Sequence, residues 1–156
     1  MAQSGRVEGL YLTHSKGEPL VSMECVTAEA EKGIVGDRYH LGTGFYSNQN
    51  GWGASVTLIE SEAISAINAG HRAEYTGAML RRNIVTSNVR LESLIGREFQ
   101  CGAAVLRGLK PYPPCAHLAL LLGRREILKY LAYCGGIGAE VISSGAIWVD
   151  DLIVVT

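Results

Sequence analysis

The sequence lacks the spacings that mark small metal-bound or redox-active domains. Its four cysteines never form a Cys-x-x-Cys pair and its four histidines never occur as His-x-x-x-His. Neither a zinc site nor a thioredoxin-type redox pair is therefore indicated. A chain of 156 residues buries roughly 70% of the surface that it exposes when unfolded, so it forms a core without disulfides or metal. We expect one domain over residues 1–156.

The sequence also has little net charge and no long apolar segment. Its formal charge is −1, and no cluster of lysine and arginine is longer than a pair. This balance argues against non-specific nucleic-acid binding and against a polybasic membrane anchor. The longest fully apolar run, residues 118–122, is far shorter than the ~20 residues of a membrane helix. The polar first residues precede no signal-peptide core, so we expect a cytoplasmic protein.

Short strand-like segments separated by glycines dominate the pattern and predict a mainly β fold with a few helices. The alternating segments are 7–13, 20–26, 54–59, 83–86, 98–101, 103–109, 140–143, 147–149 and 153–155. So many short strands in one domain suggest a barrel. Residues 141–142 and 147–149 are predicted to pair as a hairpin around Gly145. Ser61 is a candidate N-cap for a helix that ends before Gly70; residues 115–134 form a second helical region, and residues 91–95 a single turn.

Cys115 has the chemical setting of a reactive thiol. It follows a proline-rich approach, Pro111-Tyr112-Pro113-Pro114, and prolines are tolerated in a first helical turn. The free N–H groups and the dipole of that turn would favour the thiolate. The residue types alone leave open whether Cys115 is reactive or merely fills space.

The other three cysteines differ from Cys115 in their settings. Cys25 and Cys101 alternate with apolar residues, which predicts small hydrophobic side chains on the buried faces of strands. Cys134 precedes Gly135 and Gly136 at the predicted end of a helix. The negative end of the helix dipole would raise the pKa of Cys134.

A second unusual segment, residues 33–53, contains six glycines and no sustained period. A compact domain rarely carries so long an irregular loop unless the loop binds something. Within it, Asp37 and Arg38 form either a local salt bridge that holds the loop or a guanidinium directed at an anion. The residues alone do not decide between these two interpretations.

The third polar group is Arg81-Arg82-Asn83, at the entrance of a predicted strand. Paired guanidiniums suit a phosphate because each offers a planar fork of donors. A solvated surface is the alternative. Thr57 on the preceding strand, together with Lys110 and Tyr112 beside Cys115, could add further polar groups. Sequence alone does not show whether these side chains converge.

Taken together, these segments resemble the MOSC domain, which is the C-terminal domain of molybdenum cofactor sulfurases and of their stand-alone bacterial relatives. The resemblance covers about residues 7–155. It rests on residues 33–40, 56–58, 81–85, 91–99, 114–115 and 135–136 with the final hairpin. It implies a closed β-barrel, similar to that of the pyruvate kinase barrel domain, with helices packed around it.

The resemblance also implies a cleft for the phosphorylated molybdopterin cofactor and one essential cysteine. By position that cysteine is Cys115, as molybdenum ligand or persulfide carrier. Arg81, Arg82 and Asn83 match the family's cofactor-binding run. The family's other polar positions are Asp37, Arg38 and Thr57 in this chain. It departs from the family at Cys134, where relatives usually have an arginine, and at Asp150-Asp151, where they have Gly-Asp.

Three functions follow as hypotheses. In the first, Cys115 ligates the molybdenum of a bound cofactor, and the protein reduces N-oxygenated compounds with electrons from a separate protein. In the second, Cys115 carries a persulfide received from a sulfur-donor protein. In the third, the chain is a non-catalytic module that binds a small molecule.

Overall fold

The computed structural model describes residues 3–44, 47, 53–112, 123 and 134–155. Eleven strands, two α helices and one 3-10 turn lie within these residues. In chain order they are β1 (Gln3–Leu12), β2 (Val21–Met23), β3 (Cys25–Glu29), β4 (Gly33–Ile34), α1 (Arg38–Leu41), β5 (Val56–Glu60), α2 (Ser61–His71), β6 (Ile84–Ser87), the 3-10 turn (Leu91–Leu94), β7 (Glu98–Cys101), β8 (Ala104–Pro111), β9 (Ile137–Ser143), β10 (Gly145–Trp148) and β11 (Leu152–Val155). Neither described helix is long and apolar enough to cross a membrane.

Seven of the strands close into a barrel, which confirms the predicted fold class. Their order is β11-β7-β8-β9-β5-β6-β1, and β11 returns to pair with β1 from Gln3↔Val155 to Arg6↔Leu152. Strand β2 extends the sheet beyond β1, while β10, β3 and β4 form a separate small sheet. Apart from the parallel pair β5–β6, which α2 connects, every strand pair in the structure is antiparallel.

The burial pattern explains this arrangement. Every second residue is buried in β7 and, as far as Gly108, in β8, as expected where one face of a sheet meets the core and the other meets solvent. Strand β5 is buried on both faces, because α2 covers its outer side. Ile64 and Ile67 of that helix join Ile59 and Val85 in a second apolar cluster outside the barrel.

The prediction of one strand over residues 20–26 is wrong. The segment forms β2 and β3, which belong to different sheets, with Glu24 between them. The break also changes the buried face: Val21 is exposed, Cys25 is half-buried, and Val26 and Ala28 enter the core. The prediction assumed that the alternation of buried and exposed residues continues through Glu24, and it therefore placed the wrong side chains in the interior.

The predicted hairpin around Gly145 is also wrong. Strand β9 lies in the barrel, whereas β10 pairs with β3 in the small sheet. No residue from Ser143 to Ala146 takes a positive φ, which a tight two-residue turn requires. The chain instead passes from one sheet to the other through the single residue Ser144. Gly145 fits there because a Cβ would overlap the backbone of Ala103.

The glycine-rich segment is only partly irregular. It contains β4 and α1, while residues 45–46 and 48–52 lie outside the described residues. The prediction of Ser61 as an N-cap is wrong by one residue: Glu60 is the N-cap and Ser61 is the first residue of α2. The helix continues through Gly70 to His71 and ends at Arg72 in the left-handed conformation. The predicted turn at residues 91–95 is the 3-10 turn Leu91–Leu94.

Candidate functional site

The six residues predicted to bind a cofactor are all buried in the structure. They make up most of the buried polar side chains among the described residues, and Thr13 and Thr86 complete the group. The six are Asp37, Arg38, Thr57, Arg81, Arg82 and Asn83. The solvated-face interpretation of the arginine pair is therefore wrong. Buried polar groups require partners, and the partners of each residue separate this set into three groups.

Asp37 organises the first group. It is the N-cap of α1, and its two carboxylate oxygens accept hydrogen bonds from the backbone N–H groups of Tyr39 at 3.3 Å and Thr13 at 3.2 Å. The Nη1 of Arg38 donates to the same carboxylate at 3.1 Å. Both oxygens thus have protein partners, and the ion pair is buried on both sides. The local salt bridge inferred as one alternative from the sequence is present.

Arg38 connects this ion pair to the arginine run. Its Nη2 donates to the backbone carbonyl of Arg81 at 3.0 Å, and its guanidinium lies 4.7 Å from the centre of the Tyr39 ring. Burial, and secondarily the nearby Tyr112, raises the pKa of Tyr39 well above its usual value. Tyr39 therefore remains a neutral hydroxyl beside Arg38.

Arg81 is the member of this group with an unused donor. It is 9% exposed, and its Nη1 donates to the carbonyl of Glu18 at 2.6 Å. Its Nη2 is buried without an acceptor among the described residues. No described carboxylate forms an ion pair with Arg81. Burial and the nearby Arg38 guanidinium lower its pKa. A buried cation with an unused donor is a favourable place for an anion.

Arg82 contacts a different part of the structure. This fully buried side chain donates from Nε to the carbonyl of Gly135 at 2.9 Å and from Nη1 to that of Leu80 at 2.6 Å. Its guanidinium stacks 3.8 Å from the centre of the Tyr112 ring. The sequence suggested that two adjacent guanidiniums would act together, but Arg81 and Arg82 contact different elements.

Thr57 and Asn83 form the third group, between the parallel strands β5 and β6. The Asn83 Oδ1 accepts from the backbone N–H of Thr57 at 3.0 Å and from its hydroxyl at 3.1 Å. The Asn83 Nδ2 donates to the carbonyl of Tyr11 at 3.1 Å. These hydrogen bonds tie β5 and β1 to the start of β6 next to the arginine run.

Cys115, the predicted catalytic and metal-binding residue, lies outside the described residues. Cys134 lines a cavity of about 700 Å³ with Glu60, Glu62, Arg90 and Tyr112. Burial, and secondarily Glu60, raises the pKa of Cys134. This direction of the pKa shift agrees with the sequence prediction.

Cys101 is a buried core residue, as predicted, and burial raises its pKa to about 12. Cys25 is only half-buried. Neither thiol lies among the buried arginines.

Sequence reasoning missed two contributors to the site, Glu18 and Tyr39. Glu18 acts through its backbone carbonyl, which no residue type signals. Tyr39 and Tyr112, whose hydroxyls lie 3.5 Å apart, contact the guanidiniums of Arg38 and Arg82 respectively. The neighbouring aromatic in each motif was the available signal, because tyrosine rings favour contact with guanidinium groups.

Comparisons with known proteins agree with this fold. The model of the MOSC domain matches residues 30–154. The solved structure of the YuaD protein from Bacillus subtilis is similar with a TM-score of 0.79 at 17% identity, covering 99% of this chain and 96% of that one. The YiiM proteins of Geobacillus stearothermophilus and Escherichia coli give TM-scores of 0.69 and 0.70 at 15% and 16% identity. Both comparisons cover 97% of this chain; they cover 75% of the Geobacillus stearothermophilus chain and 69% of the Escherichia coli chain. At such identities the likeness concerns the fold alone. No curated protein matches the chain.

Proposed function

The chain belongs to the MOSC domain family, and from this premise we propose that it binds the molybdenum cofactor and acts as a component of a reductase for N-oxygenated compounds. The family is associated with molybdenum cofactor binding in general. In this proposal the cofactor's phosphate contacts Arg81, and Cys115 ligates the metal.

The observation that carries the proposal is the unused donor of Arg81. Its Nη2 is buried without a described acceptor. Leaving such a donor unpaired is unfavourable, because the group loses its hydration and gains no hydrogen bond. A phosphate oxygen would satisfy it with a charge-assisted hydrogen bond. The residues present therefore fit the anionic end of the cofactor.

The metal end of the cofactor is assigned by resemblance to Cys115. A thiolate is a soft ligand and suits a molybdenum centre. When bound, the cofactor supplies two-electron redox chemistry at its metal. The protein's own part is to hold the cofactor at two points, with Arg81 at the phosphate and Cys115 at the metal.

The proposed reaction also needs a source of electrons. We propose that a separate electron-transfer protein reduces the bound cofactor. If Cys115 instead carries a persulfide, the partner is a sulfur-donor protein.

Analysis of metal and pterin content tests the proposal. The full chain is purified from a host that makes the cofactor, beside Cys115→Ser and Cys25→Ser as the control thiol. We expect molybdenum and phosphorylated pterin in near-equal amounts in the wild type and in Cys25→Ser, and loss of molybdenum in Cys115→Ser. Protein without molybdenum or pterin contradicts the proposal. An added mass of about 32 Da on Cys115, one sulfur atom, without molybdenum would identify the sulfur carrier instead.

A further inference from the structure

We propose that Asp37 and Arg38 are positioning residues, which hold Arg81 in the conformation that presents its unused Nη2 to the anion and do not themselves contact it. The proposal rests on the proposed function, because the anion is taken to be the phosphate of the cofactor. Arg81 is then the binding residue, and Asp37 and Arg38 support it, whereas the sequence alone did not separate the roles of these three residues.

The backbone conformation of Arg81 is the first observation that supports a positioning role for Arg38. Its φ is +61°, a left-handed conformation that a residue with a long side chain adopts only when its surroundings enforce it. The Arg81 N–H donates to the carbonyl of Ala78 at 3.0 Å, and its own carbonyl accepts from the Arg38 Nη2 at 3.0 Å. Arg38 thus holds the peptide group at which this unusual conformation occurs.

The side chain of Arg81 is held as well. The Glu18 carbonyl, between β1 and β2, accepts from Nη1, which orients the planar guanidinium and leaves Nη2 as the terminal donor that has no acceptor among the described residues. Because the group is planar, the position of Nη1 restricts the direction of Nη2. Backbone and side-chain contacts together therefore preorganise one donor.

Arg38, in contrast to Arg81, has protein partners for its terminal nitrogens. Both of its terminal nitrogens have protein acceptors, the carboxylate of Asp37 and the carbonyl of Arg81, and one face of the guanidinium lies on Tyr39. Asp37 uses both carboxylate oxygens within the protein. Its negative charge would also repel an anion. Asp37 orients Arg38, and Arg38 in turn orients Arg81.

A double-mutant cycle tests this order of action. The probes are the fluorescent oxidised pterin derived from the cofactor and the same pterin without its phosphate, each titrated into the cofactor-free full chain. The variants are Arg38→Lys, Arg81→Gly and the double variant. Lysine keeps the charge at position 38 but cannot reproduce the two-pronged contact, and glycine relieves the backbone strain at position 81. The measured quantity is the ratio of the two pterin affinities, since a general loss of structure would weaken both.

We expect Arg81→Gly to reduce that ratio about tenfold or more, the effect of losing a charge-assisted hydrogen bond. Arg38→Lys alone should also reduce the affinity ratio, but adding it to Arg81→Gly should change the ratio less than about twofold. Arg107→Lys is the matched control, because Arg107 likewise bridges two partners, Glu98 and Glu140, far from the arginine run in sequence and on the barrel exterior. It should leave the ratio unchanged.

Two results would overturn the positioning role. One is that Arg38→Lys reduces the affinity ratio equally in the wild-type and in the Arg81→Gly background, which would mean that Arg38 contacts the phosphate itself. The other is an unchanged ratio in Arg38→Lys. If that variant does not fold, Asp37→Asn replaces it in the same cycle with the same expectations, since asparagine retains the capping oxygen. A wild type that does not distinguish the two pterins would refute the proposed function, and this inference with it.

Discussion

Replacing Asn83 with alanine should destabilise the barrel strongly, because this one side chain joins three strands. Its Oδ1 accepts from the N–H and the hydroxyl of Thr57, and its Nδ2 donates to the Tyr11 carbonyl. The side chain is fully buried, so water cannot easily replace these contacts. The buried N–H of Thr57 costs about 1–3 kcal/mol when it is left without its partner, and the partly buried Tyr11 carbonyl costs less, so the total loss is roughly 3 kcal/mol.

Asn68→Ala is the control for this prediction. Asn68 makes the same kind of two-way contact with the backbone of Tyr75, at 2.9 Å and 2.8 Å, but is only partly buried. Water can enter there, so its loss should cost about 1 kcal/mol. Urea unfolding monitored by circular dichroism measures both free energies of unfolding. Equal losses in the two variants would refute the argument that burial makes Asn83 a structural tie.

Two further predictions follow from individual positions. Gly136→Ala should destabilise the protein by more than about 2 kcal/mol in thermal or urea unfolding, since Gly136 has a φ of +89° and a Cβ would overlap the Leu58 carbonyl oxygen; a neutral effect would mean that the backbone there relaxes freely. At pH 8, iodoacetamide should label Cys115 first, Cys134 more slowly because burial raises its pKa, and Cys101 last because burial raises its pKa to about 12. Mass spectrometry gives the order, and labelling of Cys115 no faster than Cys134 would contradict an activated thiol.

Much of the fold follows from local signals in the sequence. Alternating apolar residues and glycine punctuation locate six of the eleven described strands within two residues, as at β7 and β11, whereas β1 and β9 begin four and three residues earlier than predicted. Two errors share one cause. At Glu24 and at Ser144 a single residue separates strands of two different sheets, and neither of these residues is a glycine or proline that would mark the change. Sheet membership depends on distant partners that local alternation does not encode.

The candidate site was predicted as a set of residues, but their different roles were not. From the sequence, Asp37 and Arg38 could form either a local salt bridge or an anion-binding site. The contacts that decide between these two roles, with Thr13 and Arg81, join residues far apart in the chain. The opposed contacts of Arg81 and Arg82 depend on the left-handed backbone at Arg81. A positive φ at a non-glycine residue has no reliable sequence signal, because the surrounding structure imposes it.

The most direct test of the central claim is whether recognition depends on phosphate. The fluorescent oxidised pterin derived from the cofactor is titrated into the wild-type chain with its phosphate and without it, at low and at moderate salt. We predict that the phosphorylated form binds about tenfold more tightly or better, since a buried arginine donor gains a charge-assisted hydrogen bond, and that this preference persists at moderate salt because the site is buried. Equal affinities for the two forms would contradict the assignment of the Arg81 site to the phosphate of the cofactor.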